Sequence, residues 1–269
     1  MAGCCTCSAN AQDSVASESQ HLLGLSTGLS YHSVRDGIIS PLMYKGSQLP
    51  ILLTYDYRSL RSRQTMTAFY NNLDLTSPIS NKATSSHIAK NVNAFLDYSY
   101  TRKVFTFDQL NTDCFLGGSV SGFLNWRTFY YSRQSNEISP EAMMSLSFDA
   151  LLETKVDQSS DDLLSFHLAV PLISYVLLDD RYNAKVSDTF DELDLERNVL
   201  GQILAKGNVV TVNRLFKVQT ELSYSMFISR SIRCEFQHRF LYYFILRHKS
   251  GLDARSVSNQ FLVGLSIAL

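Results

Sequence analysis

The last eleven residues of the chain, at positions 259–269, read NQFLVGLSIAL. Large apolar side chains occupy alternate positions here: Phe261, Val263, Leu265, Ile267 and Leu269. The positions between them are small or polar, with Leu262 as the exception. Strict alternation predicts a β-strand with one apolar face. The stretch is longer than a usual strand of about 5–6 residues, and it matches the roughly 9–11 residues of a tilted transmembrane strand.

The same alternation recurs along the chain, and it predicts an all-β protein. In each segment an apolar, aromatic face opposes a face of small, polar or charged side chains. The predicted strands are residues 21–34, 48–59, 63–76, 91–102, 113–126, 142–155, 162–174, 211–228, 231–246 and 257–269. An even number of strands is typical of bacterial outer-membrane barrels.

A soluble β-sandwich would also show alternation, with its apolar face turned inward. Two features favour a membrane barrel instead. Most segments run for about ten residues or more, and polar faces such as the Gly and Ser positions of 24–30 are small rather than rich in Lys and Glu. Small side chains suit a crowded barrel interior. We therefore predict a closed antiparallel transmembrane β-barrel of about ten strands over residues 21–269, with short periplasmic turns and long outer loops.

The predicted connections alternate in length, as that topology requires. The short set comprises 60–62, 156–161 and 229–230, with 103–112 as a longer exception. The long set comprises 35–47, 77–90, 127–141, 175–210 and 247–256. Within 175–210, the run SDTFDELDLERNVLGQILAKGN has acids early, Lys206 late and Gly207 as a stop, which predicts a short helix.

Composition excludes several classes of protein. Hydrophobic residues make up 45% of the chain and charged residues 18%, against a usual charged share of about 25%. The net charge of −1 does not suit a nucleic-acid partner, so none is predicted. No apolar run reaches the roughly 18–20 residues of a membrane-spanning helix.

The first twenty residues contain a cleavage-like pattern, Ala9-Asn10-Ala11, followed by Gln12. This pattern is typical of the end of a secretory signal peptide. We interpret residues 1–20 as a truncated signal-peptide remnant and a periplasmic N-terminal segment. Cys4, Cys5 and Cys7 then fall in the discarded part, and they lack the fourth ligand of a zinc site. Cys114 and Cys234 are predicted to be free thiols, and no metal or cofactor is expected.

With these features the chain resembles outer-membrane β-barrel proteins of Gram-negative bacteria. The leader ANA-Q and the run FLGGSVSGFLNWR look most like uncharacterised Bacteroidetes barrels. The terminal FLVGLSIAL is similar to the C-terminal signal read by the barrel-assembly machinery, but it ends in Leu269 rather than an aromatic residue. The resemblance implies outer-membrane lipid and the barrel-assembly machinery as partners, with an envelope protein as a further candidate.

The inward faces of the predicted strands carry charges of both signs. The predicted lumen charge network consists of Asp56, Arg58, Asp97, Asp149, Glu221, Arg233, Glu235 and Arg239. Glu153 and Lys217 share these faces. Buried charges need partners, and a ten-stranded barrel is only slightly wider than an eight-stranded one whose interior is filled by side chains. We predict a salt-bridge network that fills the lumen, with a narrow path for a small polar solute as the alternative.

The expected function is non-enzymatic: surface binding, envelope structure or assembly with partner subunits. One alternative is a narrow channel for a small polar solute, and a second is a surface hydrolase or lipid-modifying enzyme at the rim. An omptin-like protease would need the pair Asp179-Asp180 to meet His248. A lipase-like site would use His238, for which we instead predict a structural hydrogen bond to Ser225 or another cross-strand group. No catalytic residue is therefore assigned.

Overall fold

The computed structural model describes residues 19–37, 40–81, 86–132, 135–156, 162–178, 207–229, 231–246 and 253–269. Nearly all of them lie in strands. The strands are β1 Gln20–Asp36, β2 Ser40–Gln48, β3 Ile51–Arg58, β4 Ser62–Asn81, β5 Ser86–Phe107, β6 Thr112–Ser132, β7 Ser135–Lys155, β8 Leu163–Leu178, β9 Asn208–Thr211, β10 Leu215–Ser229, β11 Ile232–Leu246 and β12 Asp253–Ala268. A 3-10 turn, Asp108–Leu110, follows β5. Within the described part, no helix has the length and apolar composition of a membrane span.

The strands form one closed antiparallel ring. β1 pairs with β12 from Leu22 opposite Ala268 to Asp36 opposite Ala254, which closes the sheet on itself. β2 and β3 are consecutive parts of one ring position, since both pair with β1 and β4, and Pro50, which has no N–H to donate, lies between them. β9 and β10 both pair with β8 in the same way. The twelve strands therefore fill ten ring positions, and the predicted barrel is confirmed.

The exterior of the ring carries a continuous belt of exposed apolar side chains. Leu25 is 59% exposed, Phe148 42% and Leu265 54%. Other predicted outward residues are also exposed: Leu146, Phe166, Leu222 and Val263. Water-soluble proteins rarely expose apolar surface on this scale. The belt is therefore the lipid-facing surface of a bilayer-spanning barrel.

Several strands are much longer than a bilayer requires. β4 has 20 residues, β5 has 22, and β6 and β7 have 21 each. The predicted loops 35–47, 77–90, 127–141 and 247–256 are therefore largely wrong, because most of their described residues continue the neighbouring strands. β8 and β9 likewise take both ends of the predicted loop 175–210. The helix predicted over 187–208 falls almost entirely on 179–206, which lies outside the described residues.

The two faces of a strand exchange polarity near its outer end. On β4 the outward residues change from Met66 and Tyr70 to the exposed Asp74. On the inward face of the same strand, buried Thr67 gives way to buried Leu73. The backbone stays extended, but the medium outside the wall changes from lipid to water. Above the bilayer the strands therefore follow the ordinary rule of a soluble sheet, apolar inside and polar outside.

Residues near both described chain ends lie at the opposite end from these projecting strands, where the Leu269 N–H donates to the His21 carbonyl at 2.9 Å. Bacterial barrels keep their short turns on the periplasmic side. We assign the end with His21 to the periplasm and the projecting end to the cell exterior.

Candidate functional site

The lumen at the periplasmic end, which we call the lower lumen, is crossed by ion pairs. Arg63 on β4 binds Glu153 on β7 with two donors, Nε at 2.9 Å and Nη2 at 2.6 Å from Oε2. β5 and β6 lie between these two strands, so the pair spans part of the interior rather than one ladder. The Arg63 guanidinium also lies over the Phe115 ring, 4.6 Å from its centroid. Such a two-pronged contact cross-links distant parts of the wall.

A second group of charges lies beside this pair. Arg58 is 3.6 Å from Asp56 and 3.7 Å from Glu153. Arg233 on β11 is 3.2 Å from Glu235 and 3.7 Å from Asp56 on β3. Arginine and carboxylate side chains therefore alternate around the lower lumen, and each acid has an arginine within ion-pair distance.

The middle of the lumen combines an ion pair with aromatic rings. Arg239 Nε is 3.0 Å from the Glu221 carboxylate. The Arg239 guanidinium lies 5.1 Å from the ring centroid of Phe95, which comes from the opposite wall of the barrel. Phe95 in turn stacks on Phe69 at 4.7 Å. Leu262, the exception in the terminal alternation, packs inward against this group. The apolar group thus holds the Arg239 side chain across the passage.

Asp149 lies fully buried on the wall next to this layer. It accepts a hydrogen bond from Ser119 at 2.9 Å, and His167 Nε2 is 3.6 Å from its second oxygen. Asp97 lines the same interior space. The cavity enclosed among these layers measures about 70 Å³, which is room for a few water molecules.

The outer end of the lumen, from the level of the outer-leaflet headgroups upwards, is called the upper lumen, and its described residues include a fully buried polar cluster. Arg127 is 0% exposed, and Glu141 and Asp36 are 1% exposed. Arg127 donates to Glu141 and lies 3.6 Å from Asp36. Tyr243 donates to Glu141 at 2.8 Å, and Asn125 donates to the same carboxylate at 3.0 Å. These residues come from β1, β6, β7 and β11, so the cluster joins opposite walls.

Apolar side chains fill the upper lumen on both sides of this cluster. One group consists of Val34, Tyr44, Leu73, Leu75, Ala89 and Phe129. The other consists of Met143, Val176, Leu215, Tyr243 and Ile245. Tyr44 on β2 meets Phe129 on β6 edge to face, with ring centroids 5.1 Å apart. The upper lumen is therefore packed like the core of a soluble barrel.

The structure places all eight residues of the predicted charge network on the inward face. It joins Asp56, Arg58, Arg233 and Glu235 in one group and Glu221 with Arg239 in another, whereas among the described residues neither Asp97 nor Asp149 has an arginine within ion-pair distance. The sequence reasoning missed Arg63, Arg127 and Glu141. A signal was present, because each keeps the alternation of the inward face of its strand.

The residues considered for catalysis do not form a described site. Asp179, Asp180 and His248 lie outside the described residues. His238 packs on the outer wall against Phe261, with ring centroids 4.6 Å apart, whereas Ser225 is buried and donates to the Leu163 carbonyl at 3.5 Å. The prediction of Ser225 as a partner of His238 is therefore wrong, and a cross-strand neighbour of His238 is Phe261. Cys114 and Cys234 are free thiols, as predicted.

Three solved structures illustrate what the chain is similar to. The outer membrane protease OmpT from Escherichia coli superposes with a TM-score of 0.55 at 8% identity, covering 93% of this chain and 97% of that one. The translocator domain of the autotransporter NalP from Neisseria meningitidis gives 0.43 at 7% identity, with coverages of 92% and 88%. Neisserial surface protein A gives 0.34 at 10% identity, with coverages of 91% and 96%. No family model and no curated protein sequence matches the chain.

The likeness to OmpT shows a shared fold. Closed antiparallel barrels with a lipid-facing apolar belt are the architecture of the bacterial outer membrane. The ring and the belt described above therefore place this protein in a bacterial outer membrane. The closer likeness to Bacteroidetes barrels stays a prediction.

Proposed function

We propose that the protein is a non-enzymatic, non-conducting outer-membrane barrel that presents a rigid extramembrane surface for binding, envelope structure or assembly with partner subunits. The observation that carries this proposal is the fully buried Arg127 cluster, set between two apolar groups in the upper lumen. A passage for solutes would have to break this cluster. Its acids would then remain buried without their cation, which is costly.

The lower lumen supports the same conclusion. Arginine stays protonated in proteins, so Arg58, Arg63 and Arg239 keep their charge near neutral pH, and their pairs are lost only if the partner acids are protonated. A pocket of about 360 Å³ lined by Arg58, Arg63 and Arg233 opens at the periplasmic mouth. The cavity between the charged layers, however, measures only about 70 Å³, far below a ligand site of about 300 Å³ or more. A narrow channel is therefore the lesser candidate.

The projecting strands support the surface-binding part of the proposal. Above the bilayer they form a continuous hydrogen-bonded wall that is packed from inside by side chains such as Leu75 and Phe129. Their outward positions include the exposed polar residues Asn72 and Lys90 beside apolar ones such as Val92. A rigid wall at the cell surface loses little conformational entropy when a partner binds to it.

Conductance in planar bilayers tests whether the lumen is closed. We expect no steady porin-like current from the purified barrel. Replacing Arg127 and Glu141 together with Ala should produce small, unstable openings, whereas Arg255→Gln on the outer wall should change nothing. A stable open channel in the unsubstituted protein would overturn the proposal and favour transport.

Photo-crosslinking in intact outer membranes tests the surface role. A photoreactive residue at position 72 or 90, on the projecting wall, should yield adducts with protein or glycan. The control position 96 lies in the apolar belt, where Leu96 is exposed, and should yield lipid adducts only. Lipid adducts alone from positions 72 and 90 would contradict a binding surface there.

A further inference from the structure

Three cations lie together on the outer wall, and their position does not depend on the proposed function. Arg35 on β1 stands directly opposite Arg255 on β12. Lys45 on β2 stands opposite Ser33, two residues before Arg35, so it is a diagonal neighbour of Arg35. All three occupy outward positions of their strands. We call Arg35, Lys45 and Arg255 the basic patch.

The basic patch is poorly compensated by the protein. Like charges directly opposite each other on a sheet destabilise it. Within the described part of the chain, Arg35 and Lys45 make no side-chain ion pair or hydrogen bond, and the Arg35 Nε is buried without an acceptor. Arg255 pairs with Asp253, and Asp74 on β4 is a diagonal neighbour of Lys45. The described residues therefore leave a net positive charge on the patch, and they give the Arg35 Nε no acceptor.

The height of the patch indicates what lies beside it. The Arg255 guanidinium is 5.1 Å from the centroid of the Phe244 ring, on the aromatic upper edge of the belt. Lower on the same strands, Leu29 is 53% exposed and Phe261 59% exposed on the lipid-facing surface. Aromatic side chains mark the level of lipid headgroups. The patch therefore lies at the headgroup level of the outer leaflet, directly above a path for acyl chains.

We propose that Arg35, Lys45 and Arg255 bind the phosphate group of an anionic lipid in the outer leaflet. Guanidinium groups match the geometry of phosphate oxygens with paired N–H donors, and the lysine ammonium adds a point charge. The phosphate supplies negative charge to the patch and separates the two opposed guanidinium groups electrostatically. The acyl chains of the lipid lie against Leu29 and Phe261.

Native mass spectrometry of the full chain in detergent tests this site, with bisphosphorylated lipid A as the probe. Replacing both Arg35 and Lys45 with Gln should weaken retention of the lipid about thirtyfold, at the usual gain per surface cation. The matched control replaces Lys90 and Arg102, two exposed outward cations elsewhere on the wall, with Gln. The control should retain the lipid as the unsubstituted protein does. Equal losses in both variants would overturn the proposal.

Two further ligands distinguish a lipid phosphate from a free phosphate ion. Lipid A without its phosphates should bind at least tenfold more weakly, and inorganic phosphate at the same concentration should not displace the intact lipid. Displacement by inorganic phosphate would overturn the lipid site in favour of a free-anion site. Unchanged binding of the dephosphorylated lipid would overturn any phosphate site.

Folding does not confound this test. Because the substitution removes a like-charge pair, the Gln variant should keep its thermal stability or gain some. If it fails to fold, Arg35→Lys serves instead, since it keeps the charge but loses the paired donors. That variant should retain the lipid several-fold less well than the unsubstituted protein, and unchanged retention would contradict a guanidinium contact.

Discussion

The lower and upper lumen are formed by the same strands but are lined by opposite kinds of side chain. In the lower lumen the wall faces lipid, so charged side chains such as Arg63 and Glu153 turn inward and pair there. In the upper lumen the wall faces lipid headgroups and water, so Leu73 and Phe129 turn inward instead. The difference teaches that the medium outside a barrel, rather than the fold, decides which face of a strand is apolar.

The ion pairs of the two regions also differ in their access to water. The Arg58 and Arg63 side chains are 16% and 17% exposed and lie near the central cavity. The Arg127 side chain is 0% exposed and is surrounded by apolar groups. A charge that loses its partner can be rehydrated in the lower lumen but not in the upper one. Removing one partner of an ion pair should therefore lower the free energy of unfolding more in the upper lumen than in the lower lumen.

The largest effect is expected for Arg127→Met. It leaves the Glu141 and Asp36 carboxylates buried without their cation, and it should lower the free energy of unfolding by about 3–5 kcal/mol. Unfolding of the protein by guanidinium chloride in lipid vesicles measures this change in the free energy of unfolding. The double variant Arg127→Met with Glu141→Leu should recover part of the loss, and a single variant as stable as the original would show that the cluster does not bear on stability.

Phe129→Ala should cost slightly less, about 3–4 kcal/mol, because it empties a packed position between Tyr44 and the other apolar side chains of the upper lumen. Phe129→Leu serves as the control and should lose about half as much. The same unfolding experiment applies. A cost below about 1 kcal/mol would mean that the upper lumen is not packed as a core, and the comparison with soluble barrels would fail.

An intermediate effect is expected for Arg63→Met in the lower lumen. Glu153 loses its two-pronged partner but keeps Arg58 at 3.7 Å and the water of the cavity. We expect a loss of about 1.5–3 kcal/mol, the range for a hydrogen bond to a charged group. Arg61→Met in the neighbouring turn, where Arg61 is exposed, should leave stability unchanged. A loss larger than that of Arg127→Met would reverse the comparison.

The smallest effect is expected at the periplasmic hairpin, beyond the belt. The Lys103 ammonium lies 2.5 Å from Asp113, and Thr106 donates to the same carboxylate at 2.8 Å. Partial burial opposes ionisation of Asp113, but these two donors outweigh it and lower its pKa. The stabilisation is therefore fully present above the unfolded pKa of about 4 and is lost as the pH falls through the lowered folded value.

Lys103→Gln should accordingly cost about 0.2–1 kcal/mol at pH 7, the usual worth of an exposed pair. The difference from the unsubstituted protein should shrink towards zero when unfolding is repeated near pH 2.5. The control Arg102→Gln changes the preceding residue, whose side chain is exposed on the outer wall. The effect of this variant on stability should not depend on pH. A difference that stays constant with pH would exclude Asp113 as its source.

Strand alternation predicted the ring, its lipid-facing residues and the inward position of Arg233, Glu235 and Arg239. It failed where the polarity of the faces exchanges, so Arg127 and Glu141 were placed in a loop although both continue the inward alternation. The partners of inward charges could not be predicted either. The contact between Arg63 and Glu153 depends on the stagger and curvature of the whole ring, which no local pattern contains.

The exchange of polarity along β4 and β5 has a consequence for how long the barrel remains in the membrane. To leave it, the projecting wall would have to pass through hydrocarbon with outward charges such as Asp74 and Lys90 exposed to lipid. A charge at the bilayer centre costs about 2.5–3.5 kcal/mol on the lowest scales. These residues therefore raise the kinetic barrier to leaving the membrane. The lifetime of the inserted protein should depend on this slow rate as well as on its equilibrium stability.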